Sequence, residues 1–484
     1  MGHSCLGQTW YWTVRQKLWN EHSEERAVQG KAGTPEYYVD SLSVDVPIPR
    51  RENGCRVPLT PLQLRCWNRS KEQIEGSRMT FIATRVMGRL QASLVSDCLE
   101  EVVLRHEALR TIIVTRNGDP YQHITEGTPI RFSQIDVSNF SADAEDKVRK
   151  MGEEFVSERV DPAVGPLIVS RLYKLSNEDH VLVIAIDHIV TDGVSNGILV
   201  GEFWALYRQV AGGQAFSLPS PTLQFADYAV WQERIFESWL SKDGAYWKRR
   251  MNDAPRVRLP IEKQDVYLAG PGSAQLYIPI DASVRLQLRE LARRQRTLAA
   301  MVVLSIYVVV MARWCELTDL VVGFTSDGRY RPELQSMIGP VAGPLYLRVQ
   351  IAEDDTFVAL LGRINREFGS AYEHYDFNRL PDIVPGLMTE LHCGWLHSYR
   401  AQGLAHVTSE DLVITPFALN VTWPIKFGVG FFDGPGGLAV QIAYRTDCYS
   451  ANTISWIGSN LRMFLALFTS YPSTRLSLVH LHAR

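Results

Sequence analysis

The sequence has no C-x-x-C cysteine pair, no run of lysine and arginine, and no apolar stretch long enough to span a bilayer. Each absence removes a class of function. The seven cysteines, at positions 5, 55, 66, 98, 315, 393 and 448, are odd in number and scattered. That argues against a disulfide framework or a zinc site and fits a reducing cytosol. A net charge of −3 without a basic run offers no attraction, global or local, to nucleic acid or an anionic membrane. The longest apolar run, LAAMVVLSIYVVVMA from Leu298 to Ala312, falls short of the roughly 20 residues that cross a bilayer. It reads as a helix buried in a large core. The first residues, MGHSCLGQTWYWTVRQKLW, hold no apolar signal region, and Leu6 stands where a myristoylation site needs Ser or Thr. The expectation is a cytoplasmic protein that engages neither nucleic acid nor membrane.

What is present is the composition of an ordinary globular enzyme: 46% hydrophobic and 21% charged residues. At 484 residues the chain is too long for one compact core, so two or more domains are expected. Residues 1–55 read as an extension without strong periodicity. From Gly88 to Arg110, Leu90, Leu94, Val95, Cys98, Leu99 and Val102 recur at helical spacing. TIIVTRNGDPYQHI then reads as strand, N-G-D-P turn and strand. LIVSRLYKLSNEDHVLVIAIDHIVTDG reads as a hairpin whose second strand, Val181 to Ile186, is apolar on both faces and belongs inside a sheet. A helix follows from about Val194 to Val210. A second cycle comes later: strand SAQLYIPI, a helix from Ser283 to Arg296, the buried helix from Thr297, and strand DLVVGFTS. The economical organisation is two α/β lobes, residues 56–235 and 236–484, after the extension.

The stretch DHIVTDGVSNG, Asp187 to Gly197, carries two catalytic signatures. From Gly193 it reads G-x-S-x-G, the elbow that presents a serine nucleophile. That elbow needs the serine on a sharp turn directly between strand and helix, yet Gly193 comes seven residues after Ile186. Ser195 is then a polar residue near a helix start, meeting orphan N–H groups. From His188 the stretch reads H-x-x-x-D-G, with the histidine where a central strand runs out toward a crevice. Gly193 there lets backbone approach a ligand and offers an N–H to an oxyanion. A lone His-x-x-x-Asp lacks further ligands for a metal. A buried histidine satisfied by hydrogen bonds explains the same pattern without chemistry.

Other stretches bear on the choice. VPLTPLQLRCW (57–67), LRHEALRT (104–111), the site itself, FADYAVWQ (225–232), DLVVGFTSDGRYRPELQSMIGPVAGPLYLR (319–348) and HYDF (374–377) occur in this order. Their order and spacing resemble the successive motifs of nonribosomal peptide synthetase condensation domains, over residues 57 to 470. GGLAVQIAYRTDCYSANTI, Gly436 to Ile454, resembles the strand near that family's end. The resemblance implies two chloramphenicol-acetyltransferase-like lobes in a V-shaped pseudo-dimer, an α/β architecture with a tunnel between the lobes. It implies a catalytic role for His188, a structural one for Asp192, and an N–H of Gly193 facing the reacting carbonyl. Arg329 would pair with Asp192 across the lobes, and Ser195, Gly343, Asn420 and Trp423 would line the tunnel. The implied reaction takes the phosphopantetheine thioester of a carrier protein as substrate, with no permanently bound cofactor. A thioester is already activated, and the chain has no G-x-x-x-x-G-K-[ST] nucleotide loop.

Two departures qualify this. The family usually has two adjacent histidines, and here the first is Asp187. Neighbouring side chains on a strand point to opposite faces, so Asp187 should point away from His188. The change also creates D-x-x-x-x-D, the signature of the related heterocyclisation domains, although His188 and RHEALR remain. Second, IGPVAGPLYLR has Val341, Gly343 and Pro344 where the family commonly has Phe, Asn and Thr, and LHCGWLHSYRAQG occupies the place of another motif. The expected function is a free-standing condensation enzyme joining a carrier-bound acyl or aminoacyl donor to an amine or hydroxyl acceptor. The alternatives are a non-catalytic binding or recruitment domain and a heterocyclisation-type domain.

Overall fold

The computed structural model describes residues 48–71, 79–127, 130–139, 143–261, 272–352, 354–375, 378–384, 387, 389–397, 412–421, 425–434 and 436–482. The sequence readings on residues 1–47, on the last two residues of HYDF, on the end of LHCGWLHSYRAQG and on Trp423 lie outside them. Pro47–Arg484 form one compact unit.

The strands, in chain order, are β1 (Val57–Pro58), β2 (Met79–Gly88), β3 (Thr111–Arg116), β4 (Asp119–Ile124), β5 (Arg131–Asp136), β6 (Ile168–Lys174), β7 (Asp179–Asp187), β8 (Ser273–Ile280), β9 (Asp319–Ser326), β10 (Gly343–Gln350), β11 (His392–His397), β12 (Leu412–Pro416), β13 (Phe427–Gly434) and β14 (Gly437–Arg445). They make three sheets, ordered β1-β4-β3, β12-β2-β7-β6-β5 and β10-β9-β11-β13-β14-β8. The architecture is mixed α/β, as expected.

Local signals explain several of these elements. Asn117 and Gly118, with φ of 55° and 89°, close the β3–β4 hairpin in the left-handed conformation that a two-residue turn demands. β7 sits in the middle of its sheet, antiparallel to both β2 and β6, and is buried from His180 to Asp187. An apolar run without alternation suits a strand covered on both faces. The helix expected around Gly88–Arg110 is shorter, Ala92–Arg105, followed by a 3-10 turn over Glu107–Arg110. Its core stripe is Val95, Cys98, Leu99, Val102 and Val103, while Leu90 and Leu94 stay partly exposed.

The apolar run of the later half forms the helix Ala299–Cys315, in which every residue from Met301 to Ala312 is buried. It packs against the helices Ala282–Arg294, Phe357–Glu373 and Ala451–Ser470. Among the described residues no single helix is long and apolar enough to cross a membrane. β12 departs from a simple division of the chain. It comes from the later half, yet pairs with β2 as the edge strand of the five-stranded sheet that contains β7, from Leu412 opposite Gly88 to Pro416 opposite Thr84.

Candidate active site

β7 delivers the chain to a tight turn. The Asp187 carbonyl accepts the Val190 N–H at 3.1 Å, and its buried carboxylate accepts the Ile189 N–H at 2.9 Å. His188 is half-buried, and its Nδ1 lies 2.8 Å from the Thr191 carbonyl oxygen. A carbonyl only accepts, so in the neutral imidazole Nδ1 carries the proton and Nε2 is the basic nitrogen. The Thr191 hydroxyl donates to Asn196 Oδ1 at 2.9 Å, and the Asn196 amide donates to Thr80 Oγ1 at 3.1 Å. The turn is therefore braced against β2. From the other side, Gln63 Nε2 donates to the Ile189 carbonyl at 3.0 Å.

The helix Gly193–Ala211 begins at this turn. Its first N–H groups lack acceptors within the helix and form the positive end of its dipole. Asp192 is the N-cap, accepting the Ser195 N–H at 2.8 Å. The same carboxylate receives both terminal nitrogens of Arg329, at 3.0 and 3.2 Å, and the N–H groups of Val341 and Ala342, each at 2.9 Å. Asp192 and Arg329 are only 1% and 2% exposed. Burial pushes the Asp192 carboxyl upward, but the Arg329 charge and hydrogen bonds, with the Ser195 and Ala342 N–H groups, hold it below the ordinary carboxylate range. Burial raises the neighbouring Asp327 carboxyl, against the pull of the Arg329 N–H and charge.

The structure thus brings His188, Asp192, Gly193, Ser195 and Arg329 together. Gly193 opens the helix and is exposed. Ser195 is fully buried: its hydroxyl donates to the Gly339 carbonyl at 2.9 Å and accepts from the Gly339 N–H at 3.0 Å and from Arg329 at 2.9 Å. The helix cap is made by Asp192, and Ser195 is turned away to the loop after β9. Gly343 opens edge strand β10, and a Cβ there would lie 1.8 Å from Asn378 Oδ1. Pro344, next along that edge strand, sits where a missing N–H is tolerated. Asn420 is exposed, its backbone N–H donating to Glu153 at 2.8 Å. Sequence reasoning missed Gln63, Thr191 and Asn196. Only Gln63 had a local signal: T-P-L-Q, Thr60 to Gln63, is a capping box with Pro at the first helical position. Among the described residues no group of three His, Cys, Asp or Glu side chains could hold a metal ion.

A histidine of defined tautomer at the end of a central strand, beside an open helix N-terminus, defines an α/β protein whose site is held by a buried Asp–Arg pair. The chain belongs to the condensation domain family, whose model matches residues 55–483. It is 27% identical over 455 residues to the isonitrile lipopeptide synthase of Mycobacterium tuberculosis (strain ATCC 25618 / H37Rv), covering 90% of this chain and 18% of that protein. It is 31% identical over 348 residues to the phosphinothricin tripeptide synthetase PhsC of Streptomyces viridochromogenes, covering 70% of this chain and 32% of that one. The chain thus spans less than a third of these curated relatives. Among solved structures, the complex of the X-domain and OxyB from teicoplanin biosynthesis matches with a TM-score of 0.78 and 21% identity, over 94% of this chain and 100% of that chain. The chloramphenicol-acetyltransferase-like α/β fold is accordingly the fold of this chain.

Proposed function

We propose that this domain joins an acyl or aminoacyl group, delivered as a pantetheine thioester on a carrier protein, to an amine or hydroxyl acceptor in the cytoplasm. The observation that carries the reading is the Nδ1 bond of His188 to Thr191, which makes Nε2 the basic nitrogen. The acceptor nitrogen or oxygen attacks the thioester carbonyl, and His188 Nε2 takes the proton it loses. Negative charge gathers on the carbonyl oxygen, where the Gly193 N–H and the helix dipole stabilise it. Collapse breaks the carbon–sulfur bond, and the proton returns from His188 to the departing pantetheine sulfur. An amide or an ester forms and a free thiol leaves. Asp192 and Arg329 hold the geometry without touching substrate.

Product formation from loaded carrier and acceptor tests this. His188→Ala is expected to lower the rate by about 10²–10⁴-fold, the usual worth of a positioned base. Full product formation by that variant would overturn the catalytic reading. It would leave the recruitment alternative, to which the similarity to an X-domain found in complex with OxyB lends support. The heterocyclisation alternative draws on Asp187, whose carboxylate here receives the Ile189 N–H.

A further inference from the structure

The peptide on either side of Ile189, the residue after His188, is held at both ends by side chains. Its N–H donates to Asp187 Oδ1 at 2.9 Å, and its carbonyl accepts from Gln63 Nε2 at 3.0 Å. Ile189 and Gln63 are both fully buried. Gln63 is fixed by the start of its own helix, Pro61–Lys71: its Oε1 accepts the Thr60 N–H at 3.1 Å, and its own N–H donates to Thr60 Oγ1 at 3.3 Å. A capping box uses only the side-chain oxygen at this position, and Glu serves it as well as Gln. Gln63 also uses the nitrogen that Glu lacks, and directs it at the turn that carries His188.

We propose that Gln63 is a positioning residue for His188, closing from outside a bracket whose other arm is Asp187. With the Ile189 carbonyl held, the turn keeps the Thr191 oxygen in line with Nδ1. Without that hold the turn can rotate, the Thr191 bond loosens, and the imidazole samples the tautomer with its proton on Nε2. That tautomer cannot accept a proton at Nε2. Asp187, where the family keeps a histidine, takes a defined place in this scheme: its oxygen holds the Ile189 N–H while Gln63 holds the carbonyl.

The kinetic arm rests on the condensation reading, and the spectroscopic arm does not. Gln63→Met keeps the length of the side chain and removes the donor. It is expected to lower kcat by about 10–100-fold with KM within about threefold, the size of effect a small misplacement remote from the chemistry produces. Nitrogen-15 spectra of the His188 ring, taken without substrate, are expected to show the proton on Nδ1 in the parent and shared between both nitrogens in Gln63→Met. Thr60→Ala weakens the helix cap but leaves the donor, and is expected to keep the parent's kcat and ring signature. Gln63→Glu adds a pH readout. Its carboxyl can donate to Ile189 only while protonated, so its kcat relative to the parent is expected to fall as pH rises. A parent-like kcat and ring signature in Gln63→Met overturns the proposal, as does a Thr60→Ala loss matching that of Gln63→Met. Should Gln63→Met fail to fold, a flat pH ratio for Gln63→Glu overturns it instead. Loss of activity in His188→Ala beside parent-like Gln63→Met would sink this proposal and leave the condensation reading standing.

Discussion

Asp192→Ala tests whether the buried Asp–Arg pair holds the site together. The Asp192 carboxylate accepts five hydrogen bonds: from Ser195, Val341 and Ala342 backbone and from both terminal nitrogens of Arg329. Truncation takes that acceptor from three backbone N–H groups and leaves the Arg329 guanidinium buried without its counter-charge. Removing one member of a buried pair costs about 3–5 kcal/mol. Loss of the N-cap adds about 1 kcal/mol. Against a typical total of about 5–15 kcal/mol, that removes a large share of the stability and should lower the yield of soluble, folded protein. Arg329→Met supplies the other corner of a cycle, and the double variant should be far less destabilised than the sum of the singles, because no charge is left buried. Urea unfolding of the four proteins reads this directly. The same cycle has a pH signature. The folded Asp192 carboxyl is held below its unfolded value of about 3.9, so its contribution is complete above that value. It is lost as pH falls through the lowered folded value, and there the gap between parent and Arg329→Met should narrow. An Asp192→Ala protein that loses less than about 2 kcal/mol would refute the reasoning, given the magnitudes above. So would one that is stable but inactive.

Two further substitutions probe the remaining site residues. Gly193→Pro removes the N–H assigned to the oxyanion while a helix accepts proline at its first position, and Asp192 already has the extended backbone (φ −141°, ψ −179°) that precedes proline. Its unfolding temperature should be near the parent's, with kcat lower by about 10²–10³-fold; a kcat within about threefold would remove the oxyanion role. Gly343→Ala drives a Cβ to within 1.8 Å of Asn378 Oδ1 and should cost about 1–3 kcal/mol. Asn378→Gly in the same chain should recover that loss, since Asn378 has φ 63° where glycine is at ease. Equal urea stability of parent and Gly343→Ala would contradict it.

The parts of the fold legible in the sequence were those with a local cause. The Asn117-Gly118 turn, the apolar β7 and the helix under LAAMVVLSIYVVVMA each follow from residues adjacent in the chain. β2 escaped notice because it is buried at seven of its ten positions, which erases alternation, and it carries Thr80, Thr84 and Arg85 within. β12, five residues long, becomes a strand only because the edge of β2 accepts it. The site was legible for a different reason. The motifs that are weak singly are partners in space: Gln63 with the Ile189 carbonyl, Phe225 with Gly339, and Arg329 with Asp192, while Gln224, just before FADYAVWQ, bonds Arg105 and Glu107. Gly339 shows how close that packing is, since a Cβ there would come within 2.2 Å of the Phe225 ring. Thr191 acts through a backbone carbonyl on the turn and Asn196 through a side-chain amide at the start of the helix, roles that residue type alone does not announce.

The same physical reasoning separates the two catalytic signatures folded into DHIVTDGVSNG. A serine hydroxyl has one proton and two lone pairs. At Ser195 the proton goes to the Gly339 carbonyl, and the lone pairs receive the Gly339 N–H and Arg329. A base would have to break a buried three-way arrangement to activate it, and the helix start would shift from the loop after β9. Ser195 therefore belongs to the structure that joins that loop to the helix. His188 has the opposite balance: one ring nitrogen is fixed by Thr191, which determines the character of the other. The serine of the pattern secures the helix start, the aspartates shape the turn and cap the helix, and the nitrogen that takes the proton in the proposed reaction belongs to His188, the residue after the central strand.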